Sequence, residues 1–217
     1  MEKKEILHKV DHTILKPEAT WDEVKKICDE GIWGSCASLC ISPVFVERAA
    51  EYVEGSIPIC TVVGFPHGNS TTASKAFEAA QAVKEGAREV DMVIHVGMVK
   101  EGRWDKVLED IRAVKEACAG ELLKVIVEAC LLTEEEKIRL CQLVSQSGAE
   151  YIKTSTGFST GGATVADVQL FRREIAPHVK IKAAGGIRSF EAAEAFLKAG
   201  ADRLGSSALV PLAKQGG

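Results

Sequence analysis

No stretch of this 217-residue chain is apolar for the ~18–20 consecutive residues that a membrane span requires. Positive charge is not in excess either. Lys and Arg number 27 against 31 Asp and Glu, a formal charge of −4. A nucleic-acid binder leaves a basic footprint, so neither a membrane nor a nucleic acid is an expected partner, although a local basic pocket for a small anion remains compatible. The first residues, Met1-Glu2-Lys3-Lys4-Glu5, carry no apolar run of the kind a signal peptide needs. Seven cysteines are an odd number, and most sit inside apolar runs, as buried free thiols do. A reducing, cytoplasmic location is therefore expected. Cys36 and Cys40 have no second Cys or His pair nearby and read as small core residues, so no metal is expected. There is no Pro/Gly/Ser-rich linker and no low-complexity run. Residues 1–217 read as one domain, long enough to bury a core without disulfides or metal. Its 46% hydrophobic and 27% charged residues exclude a disordered, collagen-like or disulfide-scaffold chain.

What the chain has is a rhythm. Short β-branched runs near 10–14, 36–41, 57–63, 88–94, 122–128, 150–154, 179–184 and 202–205 alternate with amphipathic segments. The latter lie near 20–31, 43–54, 71–86, 103–118, 133–147, 164–175 and 189–199. Thr20-x-x-Glu23 and Thr133-x-x-Glu136 have the form of capping boxes, in which side chains satisfy the free N–H groups of a first helical turn. Ser42-Pro43 places a cap residue before a proline at the first helical position. Gly86-Ala87, Gly148-Ala149 and Gly200-Ala201 each stand between a helix and a strand, which suggests one repeated unit. Strand–helix alternation implies parallel βαβ units, and eight of them predict a closed (β/α)₈ TIM barrel. An open doubly wound sheet is the competitor. The absence of G-x-G-x-x-G after an early strand weakens its dinucleotide-binding form.

Strands covered on both faces should be nearly pure apolar runs. Several here are not. Asp11, Asp91, Lys124, Glu128, Lys153 and Lys182 all fall within predicted strands. An unpaired charge under the apolar helix layer would be costly, so these residues are expected inside the barrel, near its C-terminal mouth. A structural ion-pair network is the plain reading. Two lysines on neighbouring strands with an aspartate on a third suggest more. An ammonium group of ordinary pKa about 10.4 is a poor nucleophile at neutral pH. A second cation close by, together with partial burial, lowers that value. A neutral lysine attacks an aldehyde or ketone to form a Schiff base, whose iminium accepts the electrons of an adjacent breaking C–C bond. A carboxylate such as Asp91 moves protons, directly or through water. This is the logic of a metal-free carbon–carbon lyase with no cofactor.

Three predicted strand ends run into small loops: Thr154-Ser155-Thr156-Gly157, Gly185-Gly186 and Gly205-Ser206-Ser207. Glycines admit close backbone approach, the hydroxyls add donors, and Arg188 adds charge. In barrels the loops after the last two strands often hold a phosphate.

Lys153-Thr154-Ser155-Thr156-Gly157-Phe158, followed by Gly161-Gly162-Ala163-Thr164, resembles the Schiff-base strand of the deoxyribose-phosphate aldolase family. Lys182-Ala183-Ala184-Gly185-Gly186-Ile187-Arg188 resembles its second-lysine strand, and Glu89-Val90-Asp91-Met92-Val93-Ile94 its aspartate strand. Asp11-His12-Thr13, Gly64-Phe65-Pro66-His67-Gly68 and Arg203-Leu204-Gly205-Ser206-Ser207 match in the same order. The resemblance implies a class I aldolase that interconverts 2-deoxy-D-ribose 5-phosphate with D-glyceraldehyde 3-phosphate and acetaldehyde. It implies Lys153 as the Schiff-base residue, Lys182 as the neighbour that lowers its pKa, and Asp91 in proton relay. Asp11, Thr156, Gly157, Gly185, Gly186, Arg188, Gly205, Ser206 and Ser207 would bind the substrate, with Asp11 organising the polar floor. A phosphorylated aldehyde is the implied partner, and a homodimer or higher homo-oligomer the implied assembly.

Two departures bear on the phosphate. Some members have Lys where this chain has Phe158, and many have a second Ser where it has Ala208. His95 is expected to be a loop residue and His67 a turn residue, and Trp21, Trp33 and Trp104 are expected to be packing residues. Another Schiff-base lyase on the same barrel and a non-catalytic sugar-phosphate sensor are the alternatives.

Overall fold

In the computed structural model, which describes residues Met1–Gln215, eight parallel strands close into a barrel in sequence order. They are β1 (Val10–Ile14), β2 (Ser38–Ile41), β3 (Ile59–Val63), β4 (Glu89–Val93), β5 (Leu122–Ile126), β6 (Tyr151–Lys153), β7 (Lys180–Ala184) and β8 (Arg203–Ser206). Closure is direct: β1 pairs with β8, Val10 opposite Leu204 and Asp11 opposite Gly205. The expected (β/α)₈ barrel is therefore the fold. The last two residues of the expected 1–217 domain, Gly216 and Gly217, lie outside the described residues.

Seven of the helices are the predicted ones: α2 (Trp21–Trp33), α3 (Val46–Val53), α4 (Thr72–Lys84), α6 (Trp104–Ala117), α7 (Glu134–Ser147), α8 (Val165–Glu174) and α9 (Phe190–Ala199). Three short ones escape the sequence reading: α1 (Lys3–Leu7), α5 (Val96–Lys100) and α10 (Leu209–Gln215). At five to seven residues they are too short to show a helical period. Both predicted capping boxes form. Glu23 accepts from Thr20 N at 2.9 Å, and Glu136 accepts from Thr133 N at 2.8 Å. At the three Gly-Ala joints the glycines have φ of +109°, +89° and +114°, the left-handed turn that ends a helix and redirects the chain into a strand.

Alternation along each strand sorts the side chains into two compartments. On β4, Val90 and Met92 face outward into the continuous apolar layer beneath the helices, whereas Glu89 and Asp91 face inward. The interior is narrow. Its apolar part is a small cluster of Cys40, Cys60 and Val62, and much of the rest is charge. Trp21 and Trp104 pack against the outer layer as expected. Trp33 does not: it is 55% exposed at the end of α2, with the Lys214 ammonium 5.3 Å from its ring centroid.

Candidate active site

Register decides which charges meet. In a parallel pair, residues in register share a face. Asp91 stands opposite Lys124, Lys153 opposite Lys182, and Lys182 opposite Arg203. All five strands, β4 to β8, therefore aim charge into one interior layer. Asp91 is its centre. Its Oδ2 accepts from Lys153 Nζ at 2.6 Å and from Lys182 Nζ at 2.7 Å, and its Oδ1 from Lys124 Nζ at 2.9 Å. Lys124 also donates to Glu89 at 2.5 Å and contacts Cys60 Sγ at 3.4 Å. Arg203 donates to Asp11 Oδ1 at 2.5 Å and reaches Glu89 at 3.3 Å, and Lys182 pairs with Asp11. Four cations thus face three carboxylates, an excess of one positive charge.

The two lysines expected on neighbouring strands do meet, on one oxygen. The sequence reading did not foresee that the aspartate stands between them, or that Lys124, Glu89 and Arg203 belong to the same cluster. Lys124 was legible as a strand charge. Its partner was not, because pairing depends on register. Glu128, expected beside Lys124 on the strand face, lies beyond the strand in the left-handed region (φ 54°). There its carboxylate accepts from Thr156 N at 3.2 Å and Thr156 Oγ1 at 2.5 Å, tying β5 to the loop after β6. Cys40, Cys60 and Asp91, and likewise Asp11, Cys60 and Glu89, bring metal-ligand atoms within 4.8 Å of one another. The Lys124 ammonium already bonds Glu89, Asp91 and Cys60 there.

Burial alone would lower the pKa of Lys182, but Asp11 and Asp91 outweigh it and hold the value above that of an ordinary lysine. The same contest at Lys124, with Asp91 its largest counter-ion, ends the same way. Both are cations at neutral pH. Burial would raise the carboxyl of Asp91, but Lys124, Lys153 and Lys182 hold it well below the usual range. Asp11 is also lowered, by Lys182, Lys124 and Arg203 against burial. For both acids the folded value lies below the unfolded one of about 4. Their stabilisation is therefore complete above about pH 4 and is lost as pH falls toward the folded values. Below about pH 4, unfolding free energy is expected to fall by about 1.4 kcal/mol per pH unit for each of the two. Urea unfolding at about pH 4 and about pH 3 measures this slope. A flat profile would mean that the carboxylates are not held by the cations.

Above the cluster lies a hollow of about 320 Å³. Of the four interior cations only Lys153 lines it. Thr156, Gly157, Gly185, Gly186, Arg188, Gly205, Ser206 and Ser207 line it as well, so all the expected loop residues converge. Asp11 is the exception. The resemblance implies it as a substrate-binding residue that organises the polar floor, and the structure puts it fully buried beneath the others, touching Lys182 and Arg203. Alternation explains this: Asp11 lies low on β1, and Thr13, two residues on, is the one that reaches the hollow. Ser206 supports the loop, donating to Ile187 O at 2.8 Å and accepting from Ala208 N at 3.1 Å. A close backbone approach shapes the rim. A Cβ on Gly162 would lie 2.3 Å from Gly185 O, so only glycine lets the β6 loop pack against the β7 loop.

Phe158, at the position where the resemblance places a Lys in some members, forms an apolar wall. It stacks edge-on against Phe65 with ring centroids 5.3 Å apart. Beyond it lies a second hollow of about 390 Å³, and His67 lines this rather than only bracing a turn. His95 caps α5, its Nδ1 accepting from Met98 N at 3.2 Å.

A family model described as DeoC/LacD family aldolase matches residues 6–208. Deoxyribose-phosphate aldolase of Clostridium botulinum (strain Alaska E43 / Type E3) is 54% identical over 214 residues, covering 99% of this chain and 97% of that one. The deoxyribose-phosphate aldolase of Clostridioides difficile (strain 630) is 50% identical over 211 residues, covering 97% and 96%. Among solved structures, the tetrameric deoxyribose phosphate aldolase from Aeropyrum pernix superposes with a TM-score of 0.91 at 29% identity, over 99% of this chain and 92% of that one. A buried lysine cluster opening onto a small-residue hollow, in a barrel whose relatives match it from end to end, has one home: the chain belongs to the DeoC/LacD family of aldolases.

Proposed function

We propose that this protein is a class I, Schiff-base aldolase that reversibly cleaves 2-deoxy-D-ribose 5-phosphate to D-glyceraldehyde 3-phosphate and acetaldehyde, in deoxyribose phosphate catabolism. One observation carries the reading: of the interior cations, Lys153 alone opens onto the hollow, while it shares Asp91 Oδ2 with Lys182. The amine that faces the substrate is the nucleophile, and an amine attacks a carbonyl in its neutral form.

In the cleavage direction Lys153 Nζ attacks C1 of the open-chain aldehyde. Loss of water leaves a protonated imine. A base removes the proton of the C3 hydroxyl, the C3–O bond becomes a carbonyl, and the C2–C3 electrons flow into the iminium to give an enamine. Glyceraldehyde 3-phosphate departs. The enamine is protonated at C2, water adds to C1, and acetaldehyde leaves with the free amine restored. Asp91 relays the protons through water in the hollow, and Lys182 keeps a positive charge beside the reacting nitrogen. The 5-phosphate lies against Gly157, Gly185, Gly186, Gly205 and Ser207, with Arg188 at the rim.

Borohydride reduction in the presence of substrate tests the mechanism. The expected result is a single adduct on the peptide carrying Lys153, formed at the same rate after chelation with EDTA. An adduct elsewhere, or activity abolished by the chelator, would overturn it.

No helix among the described residues is long and apolar enough to cross a membrane. All seven cysteines are free thiols, six of them buried, which supports a reducing, cytoplasmic setting. A homo-oligomer, a dimer or larger, is part of the proposal. Light scattering on the purified protein reads it directly.

A further inference from the structure

The hollow above Lys153 is lined by three cationic side chains, Lys16, Lys153 and Arg188, and no carboxylate lines it. Lys153 is committed to Asp91 and to the chemistry, and Arg188 follows the Gly185-Gly186 loop. Lys16 comes from the connection between β1 and α2, beside the loop after β8, and has no part in the reading above.

Its backbone is fixed. Pro17 follows it and sets the next φ, and Ala19 N donates to Lys16 O at 3.0 Å, closing a tight turn. Its side chain is not fixed in the same way. The side chain is 44% exposed and its amine is held by one strong contact, Glu23 Oε1 at 2.6 Å, with Glu18 at 3.8 Å. Glu23 is itself anchored, because its other oxygen accepts from Thr20 N and Thr20 Oγ1 in the capping box. A fixed backbone, an exposed cation on one strong contact and an anchored carboxylate at the edge of an anion-sized hollow can serve as a two-position device.

We infer that Lys16 is a phosphate ligand of this site, held on Glu23 when the hollow is empty and transferred to the phosphate when it is filled. The inference rests on the aldolase reading for the identity of the phosphate, and on geometry for the rest. An exposed ion pair between single charges is weak and screened by salt. A phosphate dianion, partly enclosed by loop N–H groups, is the stronger partner for an ammonium group. The exchange therefore favours the filled site.

Calorimetric titration of inorganic phosphate into wild-type, Lys16→Met and Glu23→Gln proteins at low salt tests the assignment. As a second readout, kcat/KM for 2-deoxyribose 5-phosphate is divided by that for unphosphorylated 2-deoxyribose. Lys16→Met is expected to weaken phosphate binding, and to lower the ratio, about tenfold. Glu23→Gln keeps an acceptor for the cap but releases Lys16, and is expected to tighten phosphate about two- to threefold. High salt should shrink both effects. Unchanged phosphate affinity in Lys16→Met overturns the assignment. So does equal weakening in both variants, which would make the pair merely structural. If the wild-type protein cleaves neither sugar, the aldolase reading fails, and the phosphate titration still judges Lys16.

Discussion

Lys153→Leu is expected to be folded, at least as stable as the wild type, and inactive, with turnover reduced by roughly four orders of magnitude or more. The two halves of this expectation have one cause. Lys153 is the amine that opens onto the hollow, so its removal deletes the nucleophile and no other group in the cluster can reach the aldehyde. It is also the surplus cation. Without it Lys124, Lys182 and Arg203 face Asp11, Glu89 and Asp91 in equal number, and Asp91 keeps two ammonium partners. Leu is close to the Lys stem in volume and has no charge to desolvate, and replacing buried charge with apolar groups of similar shape is often stabilising. Single-turnover kinetics, borohydride trapping and urea unfolding read the three quantities. A variant that keeps a trappable adduct, or most of its turnover, would remove Lys153 from its role. A variant that is inactive because it is unfolded would refute the charge argument.

Asp91→Asn is expected to lose stability as well as activity. The carboxylate holds three lysines at 2.6, 2.7 and 2.9 Å, and an isosteric amide offers one acceptor and turns two donors toward ammonium groups. Removing one partner of a buried charge set costs about 3–5 kcal/mol. Since domains are stable by about 5–15 kcal/mol, the protein should still fold. Its turnover should fall by about 10²–10⁴, the usual worth of a positioned proton-transfer group. Lys153 remains, so the borohydride adduct should still form, only slowly. That pattern separates a proton relay from a nucleophile. Full turnover in Asp91→Asn would leave Asp91 a structural counter-ion. Loss of the adduct along with turnover would mean that Asp91 is needed to place the amine.

Much of this site was legible before any coordinate. Lys153, Lys182 and Asp91 stood out because strands buried on both faces have no ordinary use for charge. The Gly- and Ser-rich loops stood out because three of them follow strands, where a barrel gathers its loops at one mouth. Lys124 was visible for the same reason as the other lysines, yet its place beside Asp91 was not. Asp11 was visible too, and the resemblance put it at the polar floor, but its pairing with Lys182 and Arg203 was not legible, because barrel closure decides it. Lys16 carried no signal at all, since a lysine before a proline in a polar connection looks like any surface residue.

The linear pattern was enough to determine the kind of elements and their order, to favour a closed barrel over an open sheet, and to indicate the chemical class of the reactive groups. Those properties follow from local rules: side-chain alternation, capping, and the cost of burying a charge under an apolar layer. Only the folded chain decided which charges share an oxygen, that a carboxylate stands between the two lysines, and which amine faces the hollow. These depend on strand register and barrel closure. They bring together residues such as Asp11 and Arg203, which are 192 positions apart. No local preference encodes such a meeting, because it is set by how the whole outer layer packs.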